Sequence, residues 1–268
     1  MSIHSSAIVD RRAEIHESAT VGPFCTIDGH VHIAGGCRLY HGVYVTGWTQ
    51  IGENCELHPG VIVGHAPQDV KYKNERSFCR VGPGTILREY VTIHRGTEPE
   101  SETTVGEECF ILGGSHVGHN CRVGNRVTLI NNVLLAGHVD IADGTTLGGA
   151  AGVHQFVRIG ELTMIAGNAR VAQDVPPFAL TDPQGRIAGL NRVGLRRAGV
   201  TRDDIAALRD AYRVLLNAAL PFTERVERLG EIAKSGPSRR LLDFVRAPSK
   251  RGLAGRSRKL TTREDEQA

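Results

Sequence analysis

The chain has 268 residues and a formal charge of +3, enough length for one large domain or two smaller ones and too little positive excess to argue for nucleic acid. Aromatic residues make up only 5% of it against 32 glycines, which excludes a core built on Phe, Tyr and Trp and favours a thin one of small and branched aliphatics. No apolar run of about 18 residues occurs, so no helical membrane span is expected, and MSIHSSAIVDRR lacks the order of a secretory signal, leaving the cytoplasm as the expected compartment.

From Ile3 onward an aliphatic residue falls at every sixth position. Of the 29 sites between 3 and 171, 26 hold Val, Ile or Leu, and the three failures, Asp69, Glu75 and Pro99, cluster as two interruptions. Aliphatics take about a quarter of ordinary sequence, so chance does not produce this series. Four residues after each tooth the side chain is usually small, as at Ala7, Cys25, Cys55, Ser115 and Thr145. A period of six fits neither a helix nor a plain strand; it is the hexapeptide signature of a parallel β-helix. Three short strands then make a triangular coil of 18 residues, and coils stacked at about 4.8 Å give a prism about 40 Å long. All six cysteines fall on the small register, where a buried thiol serves as a small hydrophobe, and no zinc or disulfide pattern is visible.

The prism is expected over 1–175, with loops leaving it at 64–80 (GHAPQDVKYKNERSFCR) and 95–104 (RGTEPESETT) and rejoining in register. Residues 176–186, rich in Pro, read as a closing linker. Residues 187–246 read as an α-helical domain: a short segment at 187–198, a helix capped by Thr201, another from Thr223, and a third capped by Ser238. The basic-then-acidic stretch 247–268 reads as a disordered tail.

A lone outward histidine is usually a solvated one, and there are twelve. Stacking singles some out. His138 lies next to the position one coil after His119, and His154 next to the position two coils after. With His116 just before, the register predicts a column His119–His138–His154, suited to a general base, a metal site or a polar substrate groove.

The hexads combined with QDVKY (68–72), TIHRG (92–96), SHVGHNC (115–121), LLAGH (134–138), VHQF (153–156), VAQDVPP (171–177) and GLNRVGLRR (189–197) closely resemble the UDP-N-acetylglucosamine O-acyltransferases that begin lipid A synthesis. The resemblance covers essentially the whole folded chain. It implies an all-β left-handed parallel β-helix followed by a smaller α-helical C-terminal domain, assembled as a homotrimer. It implies transfer of a (3-hydroxy)fatty acyl group from acyl carrier protein to the sugar 3-hydroxyl, with no cofactor beyond the carrier's phosphopantetheine arm and no metal. It further implies His119 as general base, the Gly137 N–H as oxyanion donor and Asn120 as an orienting residue. Asp69 and Lys71 would hold the sugar and phosphates, and His94, His116, His138, His154 and Gln155 would line the groove. Asn191 and Arg197 would lie near the nucleotide or the phosphopantetheine arm, and Gly167 would set acyl length. Asn120 stands where many relatives have Asp, Val193 where Glu is frequent, and Ala198 where a second Arg is frequent; an amino-substituted sugar is one alternative these departures open. The resemblance further implies an acidic carrier, for which the basic residues Arg192, Arg196 and Arg197 are the expected dock, a solvated helix face being the other reading of them. Other readings are the pathway's later N-acyltransferase, a gamma-carbonic-anhydrase-like zinc enzyme using His116, His119 and His138, and a catalytically silent scaffold.

Overall fold

The computed structural model describes residues 2–234 and 236–257. From Ser2 to Val171 the chain repeats one unit, a short strand followed by a two-residue turn. Strands such as His116–Val117, Arg122–Val123 and Thr128–Leu129 are two residues long. Each pairs in parallel with a strand eighteen residues on: His116 with Leu134, Leu134 with Gly152, Gly152 with Arg170. Three hexads therefore close one coil, and the coils stack as a three-faced parallel β-helix. Two of the faces share one sheet because the eight-residue strands Thr26–Ile33 and Tyr44–Ile51 pass round an edge without a break.

The tooth of each strand points inward. Val117, Leu129, Leu135 and Ile159 are buried, while the residue before each tooth lies outside. Ile3, Val9 and Ile15 are only partly buried, since the first coil has a neighbour on one side alone. The six cysteines are buried and free, and the thiols of Cys25, Cys37, Cys55, Cys109 and Cys121 meet carbonyls of the next coil, Cys25 Sγ to Tyr40 O at 2.7 Å and Cys121 Sγ to Ala136 O at 3.0 Å. Burial pushes the Cys79 and Cys121 thiols up to about 12, as expected of packing groups.

The interruptions are whole hexads. Trp48 pairs with Phe78, thirty residues on, and Phe78 with Glu102, twenty-four on. The excess over eighteen is two hexads in the first loop and one in the second, which is why the teeth resume in phase.

The far end departs from the sequence expectation in three places. Residues 176–186 are no linker: Ala179–Thr181 joins the eleven-stranded sheet in parallel with Met164. Ile187–Leu190, expected to begin a helical segment, instead pairs antiparallel with Ala179–Thr181. The short hairpin at Asp182–Arg186, closed by a bond from Arg186 N to the Asp182 carboxylate, permits that reversal. It ends the parallel stack and covers its edge. Third, residues 247–257, expected in a disordered tail, pack back on the prism. Asp174 bridges to Leu253 and Ile187 to Arg256, and Ala254 is buried. Backbone pairing to a distant segment outweighs the polar composition there; the rest of the expected tail, 258–268, lies outside the described residues.

The helices are α1 (Arg192–Arg197), α2 (Arg202–Leu215), α3 (Phe222–Ile232) and α4 (Gly236–Arg246). Thr201 caps α2, its Oγ1 accepting from Asp204 N at 3.1 Å and donating to the Asp204 carboxylate at 2.8 Å. α3 begins one residue before Thr223, and α4 begins two before Ser238, which sits inside its first turn. The bundle is fastened to the prism by the Tyr212 hydroxyl, which donates to Pro177 O at 2.6 Å, and by Arg158, which pairs with buried Asp174 at 2.8 Å and lies over the Phe244 ring. No helix among the described residues is long and apolar enough to cross a membrane.

Candidate active site

One corner of the prism carries the polar groups. His119 and Asn120 are the two turn residues between the strands His116–Val117 and Arg122–Val123; one coil on stand Gly137 and His138, and two coils on Gln155 and Phe156. The second turn position is left-handed throughout, with φ of 59° at Asn120, 60° at His138 and 65° at Phe156. Asn and His are among the residues that adopt this conformation more readily, whereas Phe does so at a cost of about 1 kcal/mol or more. The return is a stacked edge. His138 lies edge-on to His119 at 5.3 Å between centroids and stacks on Phe156 at 4.6 Å.

The column is therefore His119–His138–Phe156, not His119–His138–His154. Pairing advances by eighteen residues, which carries His138 to Phe156 and leaves His154 two positions short. His154 is exposed, its Nδ1 3.2 Å from Gln155 O. A second column, which the sequence did not suggest, runs Tyr44–His65–His94–His116, with centroid spacings of 6.0, 6.1 and 4.8 Å. His94 is buried in its middle; burial and then the neighbouring charges of His116 and His65 lower it to about 4. His116 is likewise lowered, first by burial and then by His119, and its Nδ1 lies 2.7 Å from Thr92 Oγ1. His138 is lowered by burial, opposed by the Glu98 charge.

The loop between the strands Thr92–His94 and Glu102–Val105, shorter than the expected 95–104 because Glu102–Thr104 pair with Phe78–Arg80, encloses the His119 corner. Asn120 Oδ1 accepts from Thr97 N at 3.1 Å, and a backbone N–H can only donate, so this is the amide oxygen. Asn120 Nδ2 donates to Glu98 Oε2 at 2.9 Å, which agrees. The contact of 2.9 Å between Asn120 Oδ1 and His119 Nδ1 then puts a proton on Nδ1 and leaves the Nε2 lone pair of the neutral ring free. Gly137 makes room for that ring: a Cβ there would lie 2.4 Å from His119 Cε1. Among the described residues the Gly137 N–H has no backbone acceptor.

The first loop, expected at 64–80, is bounded by the strands Ile62–His65 and Phe78–Val81, and Arg95 ties it down, its guanidinium donating to Gly64 O at 2.8 Å and to the Tyr72 hydroxyl at 2.8 and 2.9 Å. Asp69 turns back on its own loop, accepting from Lys71 N at 2.9 Å. Asn191 caps α1, accepting from Gly194 N at 3.0 Å and donating to Leu162 O at 2.8 Å, while Arg197 lies exposed in the last turn. Gly167 is exposed, and a Cβ there would meet only the Gly149 backbone, O at 3.5 Å and N at 3.9 Å, so the fold does not require glycine. Among the described residues, no three His, Cys, Asp or Glu side chains of one chain are grouped as metal ligands.

A cleft of about 520 Å³ opens beside this corner, with Asn120, His138 and Phe156 on one wall and Pro248 and Lys250 on another. Lys250 Nζ sits 4.3 Å above the Phe156 ring. Four contributors escaped sequence reasoning: Thr97, Glu98, Phe156 and Lys250. The in-phase acidic insert was the available signal for the first two; composition concealed Lys250.

The family profile described as Udp N-acetylglucosamine O-acyltransferase, Domain 2, matches residues 174–254. A Thermodesulfovibrio yellowstonii protein named acyl-[acyl-carrier-protein]–UDP-N-acetylglucosamine O-acyltransferase is 39% identical over 254 residues, spanning 94% of this chain and 98% of its own. A Burkholderia orbicola protein of the same name is 40% identical over 258 residues with the same coverage. The solved UDP-N-acetylglucosamine acyltransferase of Francisella novicida superposes with a TM-score of 0.91 at 34% identity, covering 99% of this chain and 98% of its own.

Proposed function

From the premise that this chain belongs to the UDP-N-acetylglucosamine O-acyltransferase family, we propose that it transfers an acyl group from the thioester of acyl carrier protein to the 3-hydroxyl of UDP-N-acetylglucosamine, the first step of lipid A synthesis, with His119 as general base. The observation that carries the mechanism is the bond between Asn120 Oδ1 and the Nδ1–H of His119, which leaves Nε2 able to accept a proton. General bases of this kind contribute about a hundred- to ten-thousand-fold.

In this reading Nε2 takes the 3-hydroxyl proton as the sugar oxygen attacks the thioester carbon. The oxyanion of the tetrahedral intermediate accepts from the Gly137 N–H, which needs no reorganisation to meet it. Collapse breaks the carbon–sulfur bond, and the imidazolium returns its proton to the leaving thiolate. The products are the sugar ester and the carrier's thiol, with no covalent enzyme intermediate. Because burial keeps His94, His116 and His138 neutral at physiological pH, they suit a groove that binds sugar hydroxyls without adding positive charge.

The same reading makes the prism left-handed and trimeric, with sites between neighbouring prisms, and puts the reaction in the cytoplasm. Asp69 and Lys71, on the loop pinned by Arg95, would hold the sugar and diphosphate, and the exposed His154 and Gln155 would line the groove further along. The amide of Asn191 is committed to capping α1, so we assign it to positioning that helix and its basic residues Arg192, Arg196 and Arg197 for the carrier. Gly167 leaves space for a long acyl chain.

The test is mass spectrometry of products formed by the purified protein from mixed acyl carriers with UDP-N-acetylglucosamine and its 3-amino analogue. A 3-O-acyl product is expected; an N-acylated product only, or none, would overturn the reading.

A further inference from the structure

We propose that Glu98 is a positioning residue that supplies, through the Asn120 amide, the negative charge behind the His119 imidazole. The proposal rests on the reading of His119 as the base. Asn120 stands where many family members carry Asp, so the residue touching Nδ1 brings orientation and no charge. The structure puts a carboxylate directly behind it. Glu98 Oε2 accepts from Asn120 Nδ2 at 2.9 Å, and Asn120 Oδ1 contacts His119 Nδ1 at 2.9 Å, so one amide joins carboxylate to imidazole.

The chain of bonds is braced on both sides. Thr97 N donates to Asn120 Oδ1, and the Thr97 hydroxyl lies 2.8 Å from Glu98 Oε2 and 2.9 Å from Asn120 Oδ1. Asn120 N donates to Thr103 Oγ1 at 2.7 Å, fixing the backbone of the turn. Burial works to raise the Glu98 carboxyl, but the bonds from the Thr97 hydroxyl and its own backbone N–H outweigh this, so it ionises below the usual carboxylate range. Donation from Nδ2 to a carboxylate polarises the amide and makes Oδ1 a better acceptor. The benefit grows as His119 gains a proton during attack, which is when stabilisation lowers a barrier. The groups facing this relay are His116 and His94 from preceding strands, His138, whose Nε2 is 4.0 Å from Glu98 Oε1, and Lys250 and Asp140 around His138. Among these, Glu98 is the anion joined to His119 through hydrogen bonds.

This gives the acidic loop between His94 and Glu102 a purpose that its sequence did not disclose. It sets the charge one hydrogen-bonded link further from the ring than an Asp at position 120 would, and routes it through an amide.

A charge-exchange cycle tests the relay. Glu98→Gln preserves hydrogen-bond acceptance and removes the charge; kcat is expected to fall about tenfold with KM changed less than about twofold. The acidic limb of kcat/KM should move to lower pH, because a protonated ring loses its counter-charge. Asn120→Asp alone sets two carboxylates against each other and should also lose activity. The Glu98→Gln/Asn120→Asp double variant restores a single charge and should recover to within about threefold of the parent. Nitrogen NMR of histidine-labelled protein reads the same coupling without turnover: Nδ1 protonated in the neutral parent ring, and a His119 titration midpoint that falls in Glu98→Gln. An unchanged midpoint, or a double variant no better than its worse single, overturns the relay. A shifted midpoint in protein that transfers no acyl group would leave the relay standing and remove the acyltransferase reading.

Discussion

The imidazole of His119 and the amide of Asn120 lie 2.9 Å apart, Nδ1 to Oδ1, and the tautomer of the first is set by the second. Asn120 cannot turn its amide over, since Thr97 N–H needs the oxygen and Glu98 takes the nitrogen. The ring is thus held by its neighbour in sequence, and that neighbour by a loop about twenty residues earlier.

Gly137→Ala should act on this ring without touching it chemically. Its Cβ would fall 2.4 Å from His119 Cε1, so the imidazole must swing away from its bond to Asn120. We expect kcat to drop about a hundredfold, a displacement effect, with the far-UV circular dichroism and melting temperature close to those of the parent. A fully active variant would mean the ring position is not needed.

Gly167 gives the opposite case. Nothing closer than 3.5 Å meets a Cβ there, so Gly167→Met should fold normally. In competition between acyl carriers of different length, mass spectrometry should show the product distribution moving to shorter chains. An unchanged distribution would remove Gly167 from the acyl groove.

The histidines predict how stability depends on pH. His94 has an ordinary value of 6.5 and is lowered to about 4 in the folded protein, with His116 and His138 lowered too. Between those limits the unfolded chain binds more protons than the folded one, so stability rises with pH across that window and is lost as pH falls from about 6.5 toward 4. For His94 the loss is up to about 3 kcal/mol. Urea denaturation at pH 7 and pH 5 measures it, and His94→Gln should flatten the dependence.

Tyr212 joins the helices to the prism through a buried bond from its hydroxyl, 2.6 Å to Pro177 O. Tyr212→Phe leaves that carbonyl without its donor and should cost about 1–2 kcal/mol, read as a lower urea midpoint at unchanged slope.

Much of this architecture is legible from Ile3 to Val171 because each coil repeats the same demand, an aliphatic side chain at one position in six. The interruptions are legible because Asp69, Glu75 and Pro99 break that demand and the phase then resumes. What escapes is whatever depends on one residue of register or on a distant partner. His154 and Phe156 differ by two positions, and only the pairing of Leu134 with Gly152 decides which stacks on His138. Ile187–Leu190 looks helical until the hairpin turns it against Ala179–Thr181. Leu253 and Arg256 are ordered by Asp174 and Ile187, and nothing in their own composition records it. Glu98 has no neighbour in sequence that betrays its bond to Asn120.

The most direct measurement of the central claim is the single-turnover rate of acyl transfer in His119→Ala, with the variant's fold verified by its melting temperature. A general base at His119 predicts a rate at least about a hundredfold below the parent at neutral pH, with loss of the acidic limb in the residual activity. A rate within a few-fold of the parent, with the same pH profile, would contradict it.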